Sequence, residues 1–111
     1  RHRRKYAEGE LPPEQSFYFR GPAGQLNLRA HNLLLFMQLG EGVDQATWIH
    51  HLRSHDYSTW IKQVIKDEAL AQRVHDVEQQ AHLPAEESRQ LIRSAIEERY
   101  TVPAGGDEHT S

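Results

Sequence analysis

Three aspartates, Asp44, Asp56 and Asp67, each stand just before an apolar stripe with helical spacing, and they cut the middle of this chain into short helices. Asp44 precedes Trp48, Ile49 and Leu52. Asp56, with Thr59 three residues on, precedes Trp60, Ile61, Val64 and Ile65. Asp67 precedes Leu70, Val74, Val77 and Ala81. Upstream, Leu28 to Leu39 is apolar around most of a helical circumference, which marks a central helix, and Gly40 and Gly42 are expected to end it by adopting positive φ. Downstream, Pro84 suits a first helical turn and Glu86 and Glu87 favour its positive end. Leu91, Ile92, Ala95, Ile96 and Tyr100 make a last stripe, which Pro103 stops.

Before the helices, Phe17-Tyr18-Phe19-Arg20 has strand character and Gly21-Pro22-Ala23-Gly24 supplies turn chemistry ahead of Gln25-Leu26-Asn27. Two strands alone are marginal in water, so Phe17 and Phe19 are expected to face helices while Tyr18 and Arg20 look outward. The fold class is therefore all-α, a compact bundle of about five helices with a short N-terminal β-hairpin. Residues 1–15 read as a flexible linker, 16–102 as the helical domain and 103–111 as a polar, disordered tail. The chain starts on Arg rather than Met, which reads as a fragment of a longer protein or as a processed chain.

The 111 residues suffice for one domain that buries roughly two-thirds of its unfolded surface. With no cysteine, a disulfide framework and a thiolate metal site are both excluded, and a reducing cytoplasm is the natural setting. Leu33 to Met37 is the longest apolar run, far below the roughly 20 residues that span a bilayer, so no membrane partner is expected. A net charge of -3 argues against nucleic acid as a partner, and the basic run Arg1-His2-Arg3-Arg4-Lys5 reads as part of the linker.

The segment His51-Leu52-Arg53-Ser54-His55-Asp56-Tyr57-Ser58-Thr59-Trp60-Ile61 concentrates the chemistry-bearing residues in a bend between two helices. His51 and His55 have the four-residue spacing of a metal pair, with His50 and Asp56 nearby, but no His-Glu-x-x-His pattern is present and no metal site is assigned. His51, Asp56 and Ser58 contain the ingredients of an activated hydroxyl; helix capping accounts for the Asp and Ser without catalysis. Tyr57 to Lys66 has the position of a recognition helix, yet only Lys62 and Lys66 on it are basic. Trp48 and Trp60 are expected as core anchors. Arg29 and Arg53 are expected to pair with Asp56 or Asp44, or else to meet an anionic ligand.

Several separated motifs, Phe17-Tyr18-Phe19-Arg20-Gly21-Pro22, Asn27-Leu28-Arg29-Ala30-His31-Asn32-Leu33, His51-Leu52-Arg53 with Asp56-Tyr57 and Trp60, and Lys66-Asp67-Glu68, resemble a small helical domain of unassigned function. In bacteria that domain follows the catalytic core of haloacid-dehalogenase-like sugar-phosphate phosphatases, including relatives of trehalose-phosphate phosphatase. The resemblance runs from about Phe17 to Ala71. It implies a cytoplasmic accessory domain whose partner is its own or a neighbouring catalytic domain. The parent enzyme would hydrolyse phosphate monoesters with magnesium and a nucleophilic aspartate. No Asp-x-Asp-x-Thr or Asp-x-Asp-x-Val occurs here, so no catalytic residue carries over and no cofactor is expected in this fragment. Arg20, Arg29, His51, Arg53 and Asp56 carry over as signature positions, expected to form one polar cluster that fixes the hairpin to the second and third helices. His55 stands where the family pattern is expected to have Gly, which argues against a metal role for it. Readings from other classes are a sensor of a small anion or sugar phosphate using the same Arg and His groups, and a self-association module.

Overall fold

The computed structural model describes residues 9–100, which form a two-stranded antiparallel hairpin laid on five α-helices among the described residues. After a 3-10 turn at Pro13–Gln15 come β1 (Phe17–Phe19) and β2 (Leu28–Ala30), then α1 (Leu33–Gly42), α2 (Gln45–Arg53), α3 (Asp56–Trp60), α4 (Glu68–Glu78) and α5 (Ala85–Arg99). The expected all-α bundle with an N-terminal hairpin is the observed architecture. The basic run Arg1–Lys5, Pro103 and the tail over 103–111 lie outside the described residues.

Several local expectations are corrected. The second strand is Leu28–Ala30, not residues 25–27, in the register Phe17↔Ala30, Tyr18↔Arg29, Phe19↔Leu28. The helix expected from Leu28 begins at Leu33, where the Asn32 side chain accepts the Leu35 amide at 2.7 Å and donates to the Gly9 carbonyl at 2.7 Å. Pairing with Phe17–Phe19 overrides the helix preference of Leu28-Arg29-Ala30. Neither Gly40 nor Gly42 ends α1 by a left-handed turn; both are helical, and Val43 follows in an extended conformation. Gly40 is small for a packing reason: a β-carbon there would lie 3.1 Å from the Trp48 ring. Helix α4 stops at Glu78, which leaves Ala81 exposed, and Leu91 is exposed on α5. Packed structure also begins earlier than Ser16, since Leu11 is 1% exposed and its amide bonds the His31 carbonyl at 2.8 Å.

Phe17 and Phe19 face the helices as the alternation requires. Phe17 meets Phe36 edge-on at 5.3 Å and Trp60 at 5.6 Å, Phe19 stacks on Phe36 at 5.6 Å, and Trp48 stacks on Tyr57 at 4.5 Å. Both tryptophans anchor the core and both satisfy their indole donors, Trp48 on Ser88 Oγ and Trp60 on the Gln15 carbonyl, each at 2.8 Å. Helix α3 widens into a π-helical turn, Ile61–Ile65, which the Lys66 amide closes on the Ile61 carbonyl at 2.7 Å. The π turn keeps Ile61 and Ile65 buried while Lys66 exits with φ 65°, a left-handed conformation that disfavours any residue with a β-carbon.

Two substitutions test these backbone readings by urea denaturation. Gly40→Ala is expected to destabilise by about 1–3 kcal/mol, because Trp48 is enclosed and cannot retreat. Lys66→Gly is expected to stabilise by about 1 kcal/mol, since it removes the left-handed penalty from an exposed position.

Candidate functional site

The bend between α2 and α3 organises the polar residues of the molecule into two separate groups. In the first, His51 projects from the last turn of α2 into the core and is 5% exposed. Its Nδ1 lies 2.8 Å from Asp56 Oδ2, and its Nε2 accepts the backbone amides of Arg20 at 3.0 Å and Gly21 at 3.4 Å. An Nε2 that accepts carries no proton, so the geometry assigns the Nδ1–H tautomer, which donates to Asp56. One imidazole thus ties the end of β1 to the first residue of α3.

The expected five-residue cluster does not form as one unit. Arg20 takes part through its amide, while its exposed guanidinium lies 4.6 Å over the Tyr18 ring and reaches Asn27 Oδ1 at 3.4 Å. Arg29 works on the N-terminal side of the hairpin, where it bonds Ser16 Oγ at 2.9 Å and the Leu11 carbonyl at 2.7 Å and faces Glu10 at 3.8 Å. It pairs with neither Asp56 nor Asp44. Arg53 is exposed, and its side chain makes no hydrogen bond or ion pair among the described residues. Helical geometry turns it away when His51 and Leu52 turn inward. Only His51 and Asp56 of the five meet through their side chains.

Asp56 also does not cap its helix. His55 occupies the cap position, with φ 62°, and the cap is provided across the fold by Glu78 of α4. Glu78 Oε2 accepts the Ser58 amide at 3.0 Å and Oε1 accepts the Ser58 hydroxyl at 2.6 Å. These contacts make the second group, in which the Glu78 carboxylate is fully buried and His55 and His75 stand beside it. Burial pushes the Glu78 carboxyl above its usual range, against the pull of the two Ser58 hydrogen bonds and of the two histidines. Ser58 is committed to Glu78, so the His51, Asp56 and Ser58 constellation has no geometric basis. His75 and Glu78 were not singled out in the sequence. Two signals were available: the three-residue spacing of His75 and Glu78, and the position of Glu78 four residues after Val74 and eight after Leu70, on the apolar face of α4.

Two further polar latches frame these groups. Arg89 donates to the Gly40 and Glu41 carbonyls at 2.7 and 3.0 Å, satisfying the end of α1, and its guanidinium lies 5.5 Å from the Trp48 ring centre. Asp67 caps α4 through the Leu70 amide at 3.1 Å and holds Arg99 Nε at 2.6 Å and the Tyr100 hydroxyl at 2.8 Å. Burial opposes ionisation of Asp67, and the Arg99, Leu70 and Tyr100 donors outweigh it, holding the carboxyl below its ordinary value.

No protein family, curated relative or solved structure matches this chain. Among the described residues, no helix is long and apolar enough to cross a membrane.

His51→Phe keeps the ring's bulk but leaves the Arg20 and Gly21 amides without their acceptor. It is expected to cost about 1–3 kcal/mol and to speed hydrogen exchange at those two amides. Asp56→Asn retains an acceptor for Nδ1–H and is expected to cost less. Because the folded Asp67 carboxyl is depressed, its contribution is complete above the unfolded value near 3.8 and is lost as pH falls through the lower folded one. Acid unfolding of Asp67→Asn is therefore expected to show a shallower pH dependence below about pH 4 than the parent chain.

Proposed function

We propose that this chain is a non-catalytic helical module of the cytoplasm that docks on, or regulates, a phosphatase-like catalytic domain, its own or a neighbour's. Magnesium and the nucleophilic aspartate belong, in this reading, to that catalytic domain. The observation that carries the non-catalytic half is the state of His51. Among the described residues, the one imidazole at hydrogen-bond distance from a carboxylate has its second nitrogen occupied by two backbone amides, so no lone pair is left to take a proton from a substrate or water. Arg29 is likewise consumed by Ser16, Leu11 and Glu10. Of the residues that look like ligands in the sequence, His51 holds the hairpin onto the helices and Arg29 ties it to the segment before it, so both serve the fold. The link to a phosphatase rests on the sequence resemblance over Phe17 to Ala71.

A second reading, recognition of a small anion such as a sugar phosphate, is favoured by one feature. An open concavity of about 540 Å³ lies beside the hairpin, with Arg20, His50 and Gly24 among its lining residues, and the Arg20 guanidinium is exposed there. The two readings separate in one experiment. Titration of sugar phosphates into the isotopically labelled chain is expected to leave the amide resonances of Arg20, Gly21 and Gly24 unmoved, and a magnesium-supplemented panel of phosphate esters is expected to show no turnover. Saturable shifts confined to those amides would establish the sensor instead. Turnover would refute the non-catalytic assignment.

A further inference from the structure

The second polar group has a composition that capping alone does not require. Capping α3 takes a carboxylate at Glu78 and donors at Ser58; it does not call for two imidazoles on the same carboxylate. One candidate ligand atom from each of His55, His75 and Glu78 lies within 4.8 Å of the others, and these three form the sole such His and carboxylate group among the described residues.

We propose that His55, His75 and Glu78 bind a divalent transition-metal ion of the zinc type, with a fourth position open to solvent. Two imidazole nitrogens and one carboxylate oxygen are a donor set that suits zinc, cobalt or nickel rather than magnesium or calcium, whose preference is for oxygen alone. His75 Nδ1 and Glu78 Oε1 are 3.7 Å apart. That gap is too long for a hydrogen bond, yet close to the roughly 3.3 Å that separates two ligand atoms around a tetrahedral ion with bonds of about 2.0–2.1 Å. His55 closes the triangle by rotation of a half-exposed side chain, its ring already edge-on to that of His75 at 5.0 Å.

The surroundings suit such a site. Ser58 holds the Glu78 carboxylate through both oxygens, which orients one ligand before any ion arrives. The Gln79 side-chain amide is 2.7 Å from His75 Nε2. As placed, the Gln79 nitrogen donates to His75 Nε2; ligation through Nδ1 requires the Gln79 amide to flip, so that its oxygen accepts Nε2–H and the Nδ1 lone pair faces Glu78. On either side, His55 lines open clefts of about 340 and 460 Å³, which give an ion and a water access to the fourth position.

His55 supplies a diagnostic variant. At φ 62° it is a position where glycine is at ease, so His55→Gly is expected to fold at least as stably as the parent while losing a ligand. Zinc titrated into the full 111-residue chain is expected to bind one ion per chain by calorimetry and to raise Tm, and cobalt to give the visible absorption of a tetrahedral site. His55→Gly and His75→Ala are each expected to weaken zinc by at least about 100-fold, the upper range for loss of even an outer partner. His50→Ala and His82→Ala are expected to bind as the parent does. Absence of zinc binding at millimolar concentration would overturn the proposal, as would binding that survives unchanged in His55→Gly. If His75→Ala fails to fold, His55→Gly decides the matter alone.

Discussion

The attachment of the hairpin depends on a single buried imidazole. The two strands have only three residues each and bury Phe17 and Phe19 by resting on α1, α2 and α3. Apolar contact alone is tolerant of sliding, whereas the two amides at the end of β1 must find an acceptor as they leave water. His51 accepts both, and Asp56 fixes which of its nitrogens is free to do so. The first residue of α3 therefore determines the orientation of a side chain on α2, which in turn sets where β1 ends. The Phe17, Phe36 and Trp60 contacts follow from that placement.

The helices show a related economy at their ends. Short helices expose a large share of unpaired amides and carbonyls, and here several are served by other elements. Glu78 caps α3 from α4 and Arg89 of α5 takes the last carbonyls of α1, while Asp67 caps its own helix α4 and accepts from the side chains of Arg99 and Tyr100 at the end of α5. The links made by Glu78, Arg89 and Arg99 span long stretches of chain, so the start of α3 and the end of α1 depend on the assembled bundle, whereas the starts of α2 and α4 are capped locally. Arg73 with Glu98, both largely exposed, adds little by comparison.

Much of this plan is written locally in the chain. Asp44 and Asp67 cap the helices they precede, through Thr47 and Leu70, because an Asx cap needs only the amide three residues on. Of the stripe after Asp56, Trp60 ends α3 and Ile61 and Ile65 are buried as expected, but from a π turn rather than a continued α-helix, with Val64 only half-buried. Asp56 departs from the pattern because His51 competes for its carboxylate and Glu78 replaces it at the helix start. Leu28–Ala30 has no local mark of a strand, since its partner is Phe17–Phe19 and pairing is a long-range property. Arg53 was expected in one cluster with His51 and Asp56 as a signature position of the resemblance, but residues two apart on a helix do not face each other. The second polar group was the least legible part. Glu78 continues the four-residue steps Leu70 and Val74 on the buried face of α4, so its burial was marked in the spacing, whereas its partner Ser58 is a long-range contact that no local pattern shows.

The two indole donors mark different joints of the molecule. Trp48 is hydrogen-bonded to Ser88 on α5, and Trp60 to the carbonyl of Gln15 ahead of the hairpin. Release of the C-terminal helix would expose the first indole alone, and peeling away of the N-terminal segment would wet the second. Intrinsic fluorescence from single-tryptophan versions of this chain would therefore distinguish fraying at one end of the sequence from fraying at the other.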